Sequence, residues 1–273
     1  MPNETLQSKR LVIITCGGPE HIYVSNALTR QFDIAAILLD TRQHKPNVKR
    51  ALKKGLGVFL PKVSRTLFLK LISAGKKNHF ALLNILFNGK ESTFDRRDLL
   101  IDVHDINSPE AANQVNQLQP DALLIYGTPI VKDHILHQAK DIAFNMHTGI
   151  SPYYRGTACT LWPIVERAPE RLGATLHECT SAVDGGQIFA TRQSRIEEND
   201  GLYEAFGRAV VVGAELYTEV VQRYLDGTLK GEPQDHSLGR EYRGADLTVI
   251  TQIRARWSVL SGTLRRYARA HAN

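Results

Sequence analysis

LVIITCGGPEHIYVSNALTRQFDIAAILLD, residues 11–40, reads as one β-α-β unit. Leu11 to Thr15 is a short, continuous, β-branched run, the mark of a strand buried on both faces. Cys16-Gly17-Gly18-Pro19 interrupts it, His21 to about Arg30 has a helical pattern, and Ile34 to Leu39 (IAAILL) is a second buried strand. The alternation then continues along the chain. A strand near Leu99 to Val103 precedes Ser108-Pro109-Glu110. That triplet puts Ser at an N-cap, Pro at the first helical position and an acid in the first turn of a helix reaching Leu118. Asp121 to Tyr126 (DALLIY) predicts a strand, Val131 to Gln138 a helix, and Ile142 to His147 (IAFNMH) another strand. Repeated β-then-α units predict an α/β fold: a mostly parallel twisted sheet with helices on both faces and right-handed crossovers. Such sheets bind ligands beyond the carboxyl ends of their strands. The places to search are therefore the residues after Thr15, Tyr126 and His147.

Composition narrows the class. The 273 residues are 42% hydrophobic and 23% charged, which excludes a disordered chain, a collagen-like fibre and a small disulfide scaffold. The polar stretch from Met1 to Arg10 has no apolar core, and the chain holds no 18-residue uncharged apolar run. The expectation is a cytoplasmic protein with neither a secretory signal nor a spanning helix. Cys16, Cys159 and Cys179 are too few and too scattered for a disulfide framework or a zinc site. No metal is expected. The first loop lacks G-x-G-x-x-G and no G-x-x-x-x-G-K-[ST] occurs, which argues against a nicotinamide cofactor and a phosphate-cradling loop.

The net charge of +6 is unevenly spread. Thr41 to Lys77 holds eleven Lys or Arg and no acid, and Gly239 to the end holds seven Arg against Glu241 and Asp246. Such blocks suit an anionic partner (a phosphorylated substrate, a membrane surface or nucleic acid) or form a solvated basic face. The first block starts at the ligand edge of the sheet, beside the loop at Cys16 to His21. Arg42 and Lys45 are its nearest candidates for phosphate contact, and Asn47 to Lys54 predicts a short helix. Within Leu67 to Phe87 the pattern suggests two amphipathic helices broken near Gly75, read as core packing or a lid rather than membrane contact. Beyond Gly156 the chain predicts a short helix over Leu161 to Ala168, a strand over Gly173 to Cys179 and an extended run from Gln187 to Ile196. The longest helix spans Leu202 to Tyr224, and a last helix lies near Ile253 to Tyr267. The expected organisation is one domain over 10–226 and a short basic C-terminal appendage over 227–273.

Asn145 and His147 stand two apart at the end of a buried strand, so they leave the same face at the ligand edge. Packing alone does not ask for an amide and an imidazole there. Further along, Asp184 sits on the turn Val183-Asp184-Gly185-Gly186, whose glycines permit close backbone approach.

Together these motifs resemble folate-dependent formyltransferases. Phe144-Asn145-Met146-His147-Thr148-Gly149-Ile150-Ser151-Pro152-Tyr153-Tyr154-Arg155-Gly156 is similar to the active-site signature N-x-H-P-S-x-L-P-x-[YF]-x-G. Thr175-Leu176-His177 and Asp184-Gly185-Gly186-Gln187-Ile188 match its downstream half. Thr148, Gly149 and Ser151 depart from it, and the family tends to make the bond before Pro152 cis. The resemblance, which covers about Arg10 to Asp226, implies a Rossmann-like formyltransferase fold and transfer of a formyl group from 10-formyltetrahydrofolate, as co-substrate, to an amine. It implies Asn145, His147 and Asp184 as catalytic residues. It also implies a folate site on Tyr126, Gly127, Thr128, Pro129, Ile130, Val183 and Gly185. Gly17, Gly18, Arg42, Tyr154, Arg155 and Gly156 are the expected acceptor contacts.

The acceptor is narrowed by elimination. The S-G-x-G-S-N loop that grips glycinamide ribonucleotide is replaced by Cys16-Gly17-Gly18-Pro19-Glu20-His21. The stretch after Asp226 is short for the C-terminal barrel of initiator-tRNA formyltransferases. A first strand near Arg10 leaves little room for the N-terminal regulatory domain of the formyltetrahydrofolate hydrolases. The expected acceptor is an amino-sugar nucleotide, a phosphorylated small molecule, with glycinamide ribonucleotide of purine biosynthesis as the alternative. No nucleic-acid partner is expected, and a homodimer stays open. A reading of another class, a non-enzymatic anion-binding protein, explains the basic blocks but not Asn145, His147 and Asp184.

Overall fold

The computed structural model describes residues 9–42 and 55–271. Strand β1 (Leu11–Thr15) is buried throughout because both its faces are covered. Leu11 and Ile13 enter one apolar layer, Val12 and Ile14 the other. Helix α1 (Pro19–Gln31) leads to β2 (Ile34–Asp40), which lies parallel to β1. Helices α2 (Leu56–Leu71) and α3 (Ala74–Phe87) follow. They part at Ser73, whose φ of 53° is left-handed, so the break precedes Gly75 and the first helix starts well before Leu67. The helix expected over Asn47 to Lys54, and Lys45, lie outside the described residues.

Strand β3 (Leu100–Val103), helix α4 (Pro109–Leu118), strand β4 (Ala122–Tyr126), the short α5 (Asp133–Leu136) and strand β5 (Ile142–His147) complete the alternating part. Ser108 Oγ accepts the Ala111 N–H at 3.1 Å, which is the expected cap. Helix α5 is shorter than its sequence pattern. Asn107 holds the preceding loop, donating to the Ile130 carbonyl and accepting the Lys132 N–H.

The remaining elements are β6 (Tyr154–Gly156), α6 (Leu161–Glu166), β7 (Gly173–Glu178), β8 (Ile188–Gln193) and α7 (Leu202–Leu225). Strand β9 (Arg240–Tyr242), α8 (Val249–Leu260) and α9 (Thr263–Ala270) end the described chain. Gly262, at φ 82°, divides α8 from α9 where the sequence suggested one helix. The main sheet has the order β3-β2-β1-β4-β5-β7-β8. Its first five strands are parallel, and β7 and β8 run antiparallel. Side chains of α1, α3 and α7 fill one face, and those of α4 and α5 the other. The fold is therefore the mostly parallel α/β sheet with helices on both faces that the alternation predicts.

The segment after Asp226 returns to the body of the protein. Glu232 pairs with Ile188 at the sheet edge, and β9 lies parallel to β6. Strands of three residues carry too little pattern to be read in advance.

Candidate active site

The switch from parallel to antiparallel pairing builds the site. In the β5–β7 ladder Asn145 lies opposite His177 and His147 opposite Thr175. Their neighbours Phe144, Met146 and Leu176 turn into the core shared with α7. The alternation of side chains along a strand then puts all four polar residues on the other face, at the carboxyl end of β5. The loop after β5 is anchored there. Thr175 Oγ1 donates to the Gly149 carbonyl at 2.8 Å and accepts the Ser151 N–H at 3.0 Å. The Ser151–Pro152 bond is cis, as the family pattern suggested.

Asp184 completes the group from its own turn. Its φ of 45° lies in the left-handed region, which Asp adopts more readily than most residues. One carboxylate oxygen, Oδ2, accepts the Gly156 N–H at 2.7 Å and lies 3.3 Å from His147 Nδ1. The other, Oδ1, lies 3.4 Å from His177 Nε2. The Asp184 carboxyl is held well below the usual carboxylate range. Burial by itself pushes it up, and the facing His147, His177 and the Gly156 N–H outweigh that penalty.

Proton positions follow from the partners. A backbone carbonyl can only accept, so His147 Nε2 donates to the Tyr154 carbonyl at 2.9 Å. The Nδ1 contact with Asp184 is then attractive only when Nδ1 also carries a proton. His177 Nδ1 likewise donates to the Glu178 carbonyl at 2.7 Å. Its Nε2 lies 3.1 Å from Asn145 Nδ2. A proton on Nε2 serves Asp184 Oδ1, 3.4 Å away, whereas a bare Nε2 accepts an amide N–H of Asn145; in either case the Asn145 amide lines the cavity. Cys179 also lines the site, but burial, followed by Asp184 and Glu178, pushes its thiol up to about 12, so it stays protonated.

These residues open on a cavity of about 550 Å³ at the carboxyl ends of β4 and β5. Asn145, His147 and Asp184 line it together with Tyr126, Gly127, Thr128, Pro129, Ile130 and Val183. Gly185 does not line it; it packs beside Ala182 and His236. The sequence places His177 in the downstream motif but not among the site residues, and it gives no sign of Thr157 or of Glu241 to Gly244, which also form the wall. His177 had a signal, its two-residue spacing from Thr175 on a strand. The Glu241 to Gly244 wall had none, because it depends on the β6–β9 pairing.

The expected acceptor contacts scatter. Gly156 lines the cavity, and its φ of 89° and the Tyr242 carbonyl packed against its Cα leave no room for a side chain. Tyr154 is only 1% exposed, and its hydroxyl donates to Glu166 at 2.7 Å, so its side chain packs inside the protein. Arg155 is held by His236. Arg42 lies between Asp40 and Asp105, 2.8 and 2.7 Å away, so its charge is already matched. The Gly18 N–H donates to His21 Nδ1 at 3.0 Å, and the Glu20 carboxylate stands where a side chain on Gly18 would be. That helix N-terminus therefore carries its own anion. Gly17 has open space around it.

The parallel sheet, its antiparallel continuation and the polar cluster at its carboxyl edge can be set beside known proteins. No family model matches the chain. Over 171 residues it is 30% identical to the methionyl-tRNA formyltransferase of Chlorobium chlorochromatii (strain CaD3), covering 63% of this chain and 53% of that protein. The chain thus spans about half the length of the curated relatives it matches. Among solved structures it resembles the N-formyltransferase of Helicobacter canadensis, with a TM-score of 0.55, 17% identity, and coverage of 91% of this chain and 79% of that one. It also resembles glycinamide ribonucleotide transformylase 1 of Symbiobacterium toebii, with a TM-score of 0.55, 15% identity, and coverage of 84% and 95%. In sequence the chain is similar to methionyl-tRNA formyltransferases over part of their length, and it shares its fold with solved formyltransferases.

Proposed function

We propose that this protein transfers a formyl group from 10-formyltetrahydrofolate to the amino group of a small phosphorylated acceptor, an amino-sugar nucleotide. The convergence of Asn145, His147 and Asp184 on one cavity carries the reading. The cavity also fits the donor. Ile125, Val131 and Val183 offer apolar wall, and the strand end and loop from Tyr126 to Ile130 bring backbone groups to its rim. The H. canadensis structure was solved with folinic acid and dTDP-3-aminofucose, and the reading extends that pairing of folate and amino sugar to this chain.

The acceptor amine attacks the formyl carbon, the tetrahedral intermediate collapses with cleavage of the formyl C–N10 bond, and tetrahydrofolate leaves with N10 taking the proton that the amine gives up. Asn145 keeps one amide N–H for the negative charge that develops on the formyl oxygen. His147, with Asp184 beside it, presents a positive charge near that oxygen. Asp184 holds His147 or an ordered water in the orientation that accepts the amine proton, and its strong preference for the ionised state makes it an anchor for that group and a weak base itself.

The blocked N-terminus of α1 favours a sugar nucleotide over glycinamide ribonucleotide, because a phosphate placed there meets Glu20 and finds the Gly18 N–H engaged. Arg243, at the cavity wall, pairs with Glu241 at 3.1 Å, but its side chain is 77% exposed against 27% for Arg42, so it is the more accessible cation for a diphosphate. Incubation with 10-formyltetrahydrofolate and separate amine acceptors tests the reading: nucleotide-linked amino sugars, glycinamide ribonucleotide and methionyl-tRNA. A mass increase of one formyl group on an amino-sugar nucleotide supports it. Formylation of glycinamide ribonucleotide or methionyl-tRNA alone reassigns the acceptor, and no formylation at all rejects the activity.

A further inference from the structure

Two neighbouring helices hold rows of apolar side chains in solvent. On α2 the exposed row is Leu60, Val63, Leu67 and Leu71, with Leu71 at 82% exposure. On α8 it is Ile250, Ile253, Trp257 and Leu260, with Trp257 at 63% and Leu260 at 79%. Both rows follow the spacing of three and four residues that puts side chains on one helix face. The opposite face of α8 is buried at Gln252, Ala255 and Ser258. The two helices touch side by side. The Phe68 ring lies 5.8 Å from the Arg256 guanidinium, and Arg65 reaches the Leu247 carbonyl just before α8.

Charge selects the occupant of this face. Residues 55–90 contain six Lys or Arg and no acid, and residues 249–271 contain five Arg and no acid. Arg269 pairs with Glu198. Among the described residues Lys62, Lys70, Lys76, Lys77 and Arg254 make no ion pair. A second copy of the chain would bring the same positive field against itself. Nucleic acid would answer the charge but would leave the aliphatic rows in contact with phosphates. An anionic bilayer surface answers both features. Its headgroups attract Lys and Arg, and its acyl boundary accepts Leu, Ile and the amphipathic ring of Trp.

We propose that the face made by α2 and α8 binds the surface of a bilayer rich in anionic lipid, with both helices lying in the interface. No helix among the described residues is long and apolar enough to cross a membrane. This inference is independent of the proposed chemistry, since none of these residues lines the cavity.

Co-sedimentation tests it, with vesicles of phosphatidylcholine alone and of equal parts phosphatidylcholine and phosphatidylglycerol. The protein should sediment with the anionic vesicles, stay free of the neutral ones, and be released in part by high salt. Trp257 emission should shift to the blue on binding, against the background of the buried Trp162. Leu67→Gln with Leu71→Gln, and separately Lys70→Gln with Lys76→Gln and Lys77→Gln, should each weaken binding about tenfold or more. All five positions are exposed, so thermal melting should match the wild type. Failure to bind anionic vesicles overturns the proposal, as does binding that both variants retain. So does a dimer in analytical ultracentrifugation that the leucine variant abolishes. Tight binding of an RNA oligonucleotide that the leucine variant leaves intact, with no binding of vesicles, also overturns it.

Discussion

The hydroxyl of Tyr242 donates to Glu166 Oε1 at 2.6 Å. The other oxygen of the same carboxylate takes the hydroxyl of Tyr154 at 2.7 Å, and the two tyrosine rings stack at 5.9 Å with Trp162 against Tyr242. Tyr154 in turn gives its backbone carbonyl to His147. A continuous line thus runs from the C-terminal segment through Glu166 to the imidazole of the candidate site. Glu166→Gln keeps the shape but turns two hydrogen bonds to a charged acceptor into weaker, partly mismatched ones. Hydrogen bonds to charged groups contribute about 1.5–3 kcal/mol, which for a chain of this size corresponds to a Tm lower by about 3–10 °C. An unchanged Tm in a thermal melt would sink the claim that this carboxylate ties the two segments together.

Catalysis should depend on the two residues that face each other across 3.3 Å. His147→Ala and Asp184→Asn should each lower turnover about 10²–10⁴-fold, the range for general acid–base groups. Folate binding, followed by fluorescence or calorimetry, should persist in both. Near-wild-type turnover in either variant would remove that residue from the mechanism.

The depressed Asp184 carboxyl makes a prediction about pH. A group whose folded pKa lies below its unfolded value of about 3.9 adds stability above that value and loses it as pH falls through the folded one. Asp184→Asn lacks this contribution while tolerating the same backbone angle. In denaturant titrations the variant should be less stable than the wild type by a constant margin at about pH 5 to 6, and the margin should begin to shrink only below about pH 4 and keep shrinking toward the low folded pKa. A difference independent of pH would mean that the ionised carboxylate is not what the histidines and the Gly156 N–H stabilise.

Much of this was legible in the sequence, for reasons that differ by element. Leu11–Thr15 and Ile142–His147 are continuous apolar runs with clear ends, and α4 carries its own start signal in Ser108-Pro109, so their boundaries came out well. Asn145 and His147 were legible because residues two apart on a strand must share a face. Their partner His177 stood in the downstream motif, but its position opposite Asn145 comes from antiparallel pairing, a property of the sheet and not of any local stretch. The Glu241 to Gly244 wall was illegible for the same reason, since three residues of β9 meet three of β6 across a long loop of chain.

Gly156 shows what that pairing demands. Its φ of 89° disfavours any residue with a Cβ, and a Cβ there would run into the Tyr242 carbonyl. Its N–H also holds Asp184. Gly156→Ala should therefore push β9 away from β6 and loosen Asp184 at the same time. The backbone strain alone costs about 1–2 kcal/mol. A lower Tm together with reduced turnover is expected. Loss of stability with full activity would separate the clamp from the site.

Arg42 is the residue for which charge patterning and structure diverge most. It stands at the ligand edge of β2 in a segment without acids, which from sequence alone suggested a phosphate contact shared with Lys45. In the folded protein its guanidinium donates to Asp40, whose side chain is fully buried, and pairs with Asp105 on the next strand's loop. Asp40 also accepts the backbone N–H groups of Arg42 and Ile106, so the three residues pin the carboxyl end of β2 to the loop after β3. Removing the arginine leaves a buried carboxylate short of its countercharge. Breaking such a pair costs about 3–5 kcal/mol when it is fully buried. With Arg42 at 27% exposure, water can replace part of the lost contact, and the lower end of that range or somewhat less is expected. Arg42→Gln should thus lower the denaturation midpoint clearly, while the KM for the acceptor stays near the wild-type value at low salt. A selective rise in that KM, shrinking as salt is added and unaccompanied by loss of stability, would restore Arg42 to the acceptor site.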